Sequence, residues 1–195
     1  MKKFLLVAAF AVATMSSSVA FDLSGLAIGD PLDQADALGA EVLAEQIDGP
    51  LIVRKYQLPS GNQLSVTALR KANSIVYIEM NWIGSKSGRL TDIPGFHFGS
   101  TLLSEIRETF GSNGYAHKEH MAFPVGEQIA LFNTYGLAPT GAQAVTFVTI
   151  IGQDTGSDPS RAILDTIILA DATFLDSYWG EEKLFDPAYQ PVELR

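Results

Sequence analysis

Apolar and polar residues alternate along several stretches of the chain, which is the pattern of β-strands that bury one face. Turn residues such as proline, glycine and asparagine separate neighbouring stretches, so two sets of antiparallel strands are predicted. The first set is RKYQL (54–58), QLSVTALR (63–70) and IVYIEMNWIG (75–84). The second set is EHMAF (119–123), QIALFNTYG (128–136) and AVTFVTIIG (144–152).

The two sets begin in similar ways and share a turn. PSGNQLSV (59–66) returns as PVGEQIAL (124–131), with proline, glycine, glutamine and an apolar residue at the same spacing. Each set also follows a Gly-x-x-x-Gly stretch that runs into a short helical pattern ending at glycine, over 25–39 and 95–111. We therefore expect Pro59 and Pro124 at equivalent hairpin turns, in a structural unit that occurs twice.

The segment after the second set has the pattern of one long amphipathic helix. Asp158 and Pro159 suit a helix start, and Gly180 suits its end. The last residues, 181–195, contain two prolines and no clear period, and are predicted to be extended or mobile. On a helical wheel one wide apolar arc holds Ile163, Leu164, Ile167, Ile168, Ala170, Phe174, Leu175 and Tyr178.

Residues 1–20, MKKFLLVAAFAVATMSSSVA, have the three parts of a secretory signal peptide. Lys2 and Lys3 precede an apolar run that is too short to span a membrane, and Ser18, Val19 and Ala20 form a signal-peptidase site. We expect cleavage after Ala20 and a periplasmic or secreted protein. The alternative is a short anchor that stays attached.

Taken together, the patterns predict an α+β protein of two tandem repeats, each a short helical segment packed on an antiparallel sheet, followed by a C-terminal amphipathic helix. The predicted boundaries are 1–20 for the signal peptide, 21–88 for the first repeat and 89–153 for the second. Residues 154–195 are assigned to the C-terminal helix and the extended tail.

Composition narrows the range of partners and chemistries. The chain has no cysteine, which excludes disulfides, thiolate catalysis, cysteine-ligated metals and the lipidation site of a bacterial lipoprotein. With 22 acidic against 13 basic residues, the formal net charge is −9, which repels phosphate backbones and anionic lipid heads. We therefore expect no nucleic-acid partner, no stable membrane anchor, and an envelope or secreted protein as the partner.

The repeated pattern resembles the repeat of the beta-lactamase inhibitor protein family, which also occurs singly in small outer-membrane assembly lipoproteins. The resemblance covers about residues 23 to 153. It implies two helix-and-sheet units whose concave surface grips another protein. This chain lacks the disulfide cysteines of the tandem inhibitors and the lipidation cysteine of the lipoproteins. The matching residues are Gly29, Leu32, Gly39, Tyr56, Gly61, Leu64, Val66, Ile75 and Ile78, then Gly99, Leu103, Gly111, Gly126, Ile129 and Leu131.

No motif in the chain predicts catalysis, a metal or a cofactor. It contains neither a Gly-x-Ser-x-Gly elbow nor a phosphate-binding loop. His117 and His120 are three residues apart, whereas zinc needs at least three ligands and the helical metalloprotease motif needs a four-residue spacing. We predict a non-enzymatic protein.

Asp171 leaves an alternative open, because it lies in the middle of the apolar arc of the predicted tail helix. An unpaired carboxylate is costly there, so it either bonds a backbone amide or a tyrosine hydroxyl, or it acts as a functional acid in a pocket. If Asp171 is a functional acid, the alternative function is that of a periplasmic hydrolase or a small-ligand carrier with a pocket near Asp171.

Strand alternation turns Tyr77, Glu79 and Phe132 away from the helices, and exposed aromatics of this kind are typical of interface centres. These three residues are the predicted protein-binding residues of an exported, soluble periplasmic protein that binds another protein through the sheet surface of its two repeats. The alternative is that the tail helix covers both rings. In that case we expect the binding surface on the loops IDGP (47–50) and LAPTGAQ (137–143).

Overall fold

The computed structural model describes residues 21–152 and 158–194, so the predicted signal peptide lies outside the described residues. Within the two ranges the helices are α1 (Asp33–Asp36), α2 (Leu103–Phe110) and α3 (Ala172–Trp179). The strands of the first half are β1 (Glu41–Asp48), β2 (Leu51–Gln57), β3 (Gln63–Leu69) and β4 (Ser74–Asn81). Those of the second half are β5 (Tyr115–His117), β6 (Ala122–Val125), β7 (Gln128–Gly136), β8 (Gln143–Gly152), β9 (Ile163–Asp171) and β10 (Lys183–Phe185).

All ten strands belong to one sheet. Its order is β1-β2-β3-β4-β9-β8-β7-β5-β10, and β6 pairs with β7 on the same side as β5. The two halves meet where β4 pairs with β9 in antiparallel register. Residues from all three predicted segments, 21–88, 89–153 and 154–195, thus contribute strands to a single sheet.

The α+β prediction of two helix-and-sheet repeats is wrong, because this sheet dominates the fold. The helices have only four, eight and eight residues. The helix predicted within 25–39 is reduced to the single turn of α1. Helix α2 lies within 95–111 and ends, as predicted, at Gly111, which has the left-handed conformation. None of the helices in the described part of the chain is long and apolar enough to cross a membrane.

The predicted C-terminal helix is wrong over most of its length. A short 3-10 helix at Pro159–Arg161 leads into strand β9, and only Ala172–Trp179 is α-helical. Both faces of β9 are buried: Ile167 lies in a large apolar cluster on one face, and Ile168 lies under α3 on the other. A strand that is buried on both faces has a nearly continuous apolar sequence, and such a sequence also fills a wide arc on a helical wheel.

Two apolar clusters lie on opposite faces of the sheet. The larger combines the inward side chains of β2–β4 and β7–β9 with the N-terminal segment, the chain between β4 and α2, and Ile106 of α2. The smaller lies beneath α3 and includes Ile168, Leu175 and Trp179. Alternation along β4 therefore places Ile78 in the larger cluster and Tyr77 beside the smaller one.

The two predicted hairpin turns differ. Pro59 lies in a loop between β2 and β3, where Gly61 has a φ of +92° and its N–H donates to the Leu58 carbonyl. Pro124 lies inside β6, opposite Ile129, and the next turn is formed by Gly126 and Glu127. Both glycines supply the positive φ that their turns require. The prediction of equivalent prolines is wrong, because the second hairpin is tighter than the first.

Candidate functional site

Tyr77, Glu79 and Phe132 lie on the sheet face that carries α3. The Tyr77 ring meets Phe174 of α3 edge to face, with ring centroids 6.0 Å apart. The Phe132 ring meets Trp179 of α3 in the same way, at 5.6 Å. Both side chains are half-buried, and both rings contact α3. This arrangement matches the alternative stated above, in which a helix of the tail covers both rings. Protein binding by these residues stays a prediction, but α3 leaves their rings little surface for a partner.

The structure brings Tyr77 and Glu79 together and keeps Phe132 apart. The Tyr77 hydroxyl donates to one oxygen of Glu79, and Asn81 Nδ2 donates to the other at 2.8 Å. Thr166 Oγ1 of β9 continues this row by donating to Asn81 Oδ1 at 2.8 Å. Burial, followed by the negative charge of Glu79, raises the pKa of the Tyr77 hydroxyl, so the tyrosine remains a proton donor. Phe132 lies on β7, beyond β9 and β8.

Asp171 is a helix cap. Its Oδ1 accepts a hydrogen bond of 2.9 Å from the Phe174 N–H and thereby caps the first turn of α3. This is the backbone-amide partner that the sequence analysis considered for a carboxylate in an apolar setting. The geometry gives Asp171 a structural role, and it does not line the cavity described below.

His117 belongs to a buried polar contact that ties three elements together. Its side chain is 1 % exposed, and its Nε2 lies 3.1 Å from Asp176 Oδ1 on α3. Lys183 Nζ on β10 lies 2.6 Å from the same carboxylate oxygen. Burial lowers the pKa of His117 more than the Asp176 hydrogen bond raises it. His120, three residues further along the chain, stacks on Trp179 with ring centroids 5.1 Å apart.

This contact does not form part of a metal site in the described part of the chain. Within 21–152 and 158–194, no group of three or more histidine, aspartate or glutamate side chains is placed to hold a metal ion. The Asp176 carboxylate accepts hydrogen bonds from both His117 and Lys183, so its negative charge is stabilised by side chains of this protein. Sequence reasoning had noticed the two histidines but had no signal for Asp176 or Lys183, which are distant along the chain.

The outer edge of the sheet is formed by β1, which the sequence analysis did not predict. All eight of its residues are exposed, including three large apolar ones, Val42 (51 %), Leu43 (45 %) and Ile47 (56 %). A strand without a buried face shows no alternation of apolar and polar residues, and the sequence therefore gave no strand signal here. The strand is joined to β2 by the turn at Gly49 and Pro50, within the predicted IDGP loop.

An ion network holds this edge in place. Arg54 of β2 donates from Nε to Glu45 Oε2 on β1 at 2.5 Å and from Nη1 to Asp36 Oδ2 at 3.0 Å. Tyr56 adds a hydrogen bond of 3.0 Å from its hydroxyl to Asp36 Oδ1. Because the Glu45 and Asp36 carboxylates both accept hydrogen bonds from the Arg54 guanidinium, β1 has a defined position against β2 and α1.

A cavity of about 400 Å³ lies at the opposite end of the sheet. Its wall combines Arg107 of α2 and residues of β5, β7 and β10 with residues from the loops around them. The polar part contains Asn113 and the buried Asn133, whose Nδ2 donates to the Asn113 carbonyl at 3.0 Å. The rest is mostly apolar, with Leu131 and Phe132 on β7 and other apolar residues from the neighbouring strands.

Comparisons with protein-family models and with curated proteins found no match. Among solved structures, the chain is similar to a cysteine-rich secretory protein from Staphylococcus aureus subsp. aureus Mu50, with a TM-score of 0.48 and 13 % sequence identity. The alignment covers 84 % of this chain and 54 % of that protein, so the chain spans about half of its length. A similarity this distant supports no functional argument. The resemblance to the inhibitor repeat stays a prediction.

Proposed function

We propose that this protein is exported and acts without catalysis, by binding an extended segment of another protein along the outer edge of β1. The observation that carries the proposal is that all eight residues of this outermost strand are exposed. An outermost strand offers a row of backbone N–H and C=O groups to a further strand, and binding by strand addition is a common way to recognise a peptide.

The side chains of β1 support the same use of its edge. Native proteins commonly protect a free edge by keeping it short, charged or covered. This edge carries acidic residues, but it is eight residues long, has no lysine or arginine, and presents Val42, Leu43 and Ile47 to solvent. No other strand of the described residues covers it. The register opposite Leu43 is irregular, which leaves this residue without a regular partner on β2. An apolar partner segment would bury these side chains.

Charge indicates what flanks the partner segment. Glu41 and Asp48 lie at the two ends of β1, and the whole chain carries a formal charge of −9. Glu45 between them is already paired with Arg54. The matching partner is therefore a short apolar segment with lysine or arginine on either side, which the acidic surface would also attract over longer distances.

The location of the partner rests on residues 1–20 and their signal-peptide pattern. We propose that the mature chain begins at Phe21 and meets its partner in the periplasm or outside the cell. Intact mass of the protein recovered by osmotic shock tests this part separately. A full-length chain that sediments with membranes would contradict export while leaving the binding surface untested by that experiment.

Site-specific cross-linking tests the binding surface. A photoreactive phenylalanine analogue at Leu43 is expected to form one adduct of defined mass in cells, and the same analogue at Tyr178 on α3 is the matched control. Adding Ile47→Asp should reduce the Leu43 adduct by about tenfold or more, because a charge replaces an apolar contact. Leu90→Asp, at a leucine that is 73 % exposed in the segment between β4 and α2, should leave it unchanged.

Three results would contradict the proposal. The first is the absence of any adduct from Leu43. The second is an equal adduct from Tyr178, which would show that contact is not confined to β1. The third is an adduct that persists in Ile47→Asp, because a partner that tolerates a charge at this position does not bury it.

A further inference from the structure

The cavity at the far end of the sheet has the composition of a ligand site. Its volume of about 400 Å³ falls within the range of pockets that hold small organic molecules. Such pockets are mostly apolar and contain a few polar groups that orient the ligand. Two of the polar residues in this wall are close in sequence: Arg107 lies on α2, and Asn113 lies in the turn that follows α2.

Arg107 is the distinctive group in this wall. Its Nε is buried and has no hydrogen-bond partner among the described residues. Its guanidinium also makes no ion pair within 4.0 Å with a carboxylate in the described part of the chain, where the ion pairs involve Arg54, His117, Lys118 and Lys183. A buried donor without an acceptor is costly, and a guanidinium binds a planar carboxylate through two parallel hydrogen bonds.

The opposite part of the cavity is apolar and opens to solvent. Met121, Leu184 and Phe185 all line it, and each is exposed over roughly half of its surface, at 44 %, 48 % and 55 %. Leu131 of β7 adds to this apolar wall. Three exposed large apolar side chains around one cavity mouth are an arrangement that an apolar ligand would cover.

We propose that this cavity binds an anionic amphiphile, specifically a medium-chain aliphatic carboxylate. The carboxylate pairs with the Arg107 guanidinium, and the hydrocarbon chain lies along the apolar part of the wall, towards Met121 and Phe185. This site is independent of the proposed β1 surface, because β1 and β10 are the two ends of the sheet order.

The one acidic residue in the wall does not conflict with an anionic ligand. Asp186 accepts hydrogen bonds from the backbone N–H and the side-chain amide of Asn113, and from the Ala188 N–H at 2.7 Å. The two backbone N–H bonds lower the pKa of Asp186 most, and the side-chain amide of Asn113 lowers it further. The negative charge of Asp186 is therefore stabilised by hydrogen-bond donors next to it. The positive charge of Arg107 makes a smaller contribution to this pKa shift, but Arg107 forms no ion pair with Asp186, so its guanidinium can still donate to the carboxylate of a ligand.

Calorimetric titration of the purified protein with decanoate tests the proposal, with 1-decanol as the uncharged probe of equal chain length. Decanoate should bind one to one with a Kd below about 100 µM, and decanol at least about tenfold more weakly. Arg107→Gln should weaken decanoate by about tenfold or more while changing decanol little. Arg70→Gln, in the exposed turn between β3 and β4, is the matched control and should bind as the unmodified protein does.

A second measurement tests the proposal even if the Arg107 variant fails to fold. In the unmodified protein, decanoate should shift the amide resonances of Asn113, Leu131 and Phe185, and Leu184→Asp at the cavity mouth should weaken binding. The proposal is overturned if decanoate shows no saturable binding up to about 1 mM, if decanol binds equally well, or if the shifted amides lie elsewhere. Unchanged decanoate binding in a folded Arg107→Gln protein would overturn it as well.

Discussion

Met80 of β4 lies directly opposite Ile167 of β9, and this pair sits at the junction where the two halves of the sheet meet. Both side chains are buried in the larger core, with Ile167 fully inaccessible to solvent. The four N-terminal strands therefore complete their sheet with a strand that the chain supplies about 80 residues later. The fold as a whole depends on the packing of this central strand.

Replacement of Ile167 by alanine should destabilise the protein by about 2–5 kcal/mol, because it removes buried methyl groups and leaves a cavity in the core. Urea unfolding measures the change. Ile163→Ala in the same strand is the control, and it should cost clearly less because Ile163 is 39 % exposed. Equal losses for the two variants would show that β9 does not form the buried centre of the sheet.

The helix α3 should contribute to stability through Trp179, which contacts His120, Phe132 and His117. Trp179→Ala is expected to cost about 3–5 kcal/mol, whereas Tyr178→Ala, at a neighbouring residue that is 67 % exposed, should cost less than about 1 kcal/mol. Thermal unfolding of the two variants checks this. A small effect of Trp179→Ala would mean that α3 covers the sheet face only loosely.

Strand patterns were the part of the fold that the sequence predicted well. The stretch 128–136 coincides with β7, and 63–70 and 144–152 differ by one residue at an end from β3 and β8. These strands alternate because one face is turned to the larger core and the other is less apolar. Two of the strands that were missed, β1 and β9, lack such a contrast, because β1 has no buried face and β9 has two. The three-residue strands β5 and β10 were missed as well, because they are too short to show a period.

The candidate sites were harder to predict, for a different physical reason. Alternation correctly grouped Tyr77, Glu79 and Phe132 on one sheet face, but the prediction that this face points away from the helices is wrong, because α3 packs on it. It could not show that α3 folds back over Tyr77 and Phe132, because the sequence of β9 and α3 was interpreted as one helix. Arg107 and Leu184 share a cavity although 77 positions separate them, and no local pattern indicates such proximity.

Two glycines between β4 and α2 allow a test of close packing. A Cβ on Gly99 would lie 2.2 Å from the Trp82 ring, whereas a Cβ on Gly95 would meet no heavy atom within 4 Å. Both glycines have positive φ, +71° and +85°, so alanine strains the backbone at either position. Gly99→Ala should therefore cost about 1–3 kcal/mol more than Gly95→Ala in urea unfolding. Similar costs would show that Trp82 moves aside freely.

The buried His117 should make stability depend on pH. Burial lowers its pKa in the folded protein below the ordinary value of 6.5, even though Asp176 on α3 favours the charged form, and Lys183 on β10 opposes that form. In the unfolded chain the ring titrates near 6.5, so just below that pH the unfolded state binds more protons than the folded state. The free energy of unfolding is therefore fully retained above pH 6.5 and falls as the pH drops towards the folded pKa.

His117→Gln isolates this effect, because glutamine carries no titrating proton in this range. Between about pH 7.5 and pH 5.5, the melting temperature of the unmodified protein should fall, and the fall should be smaller in His117→Gln. Part of the slope should remain, since burial also lowers the pKa of the neighbouring His120. His97→Gln removes an exposed histidine and should keep the full slope. An equal slope in the His117 and His97 variants would mean that His117 is protonated as readily in the folded protein as in the unfolded chain.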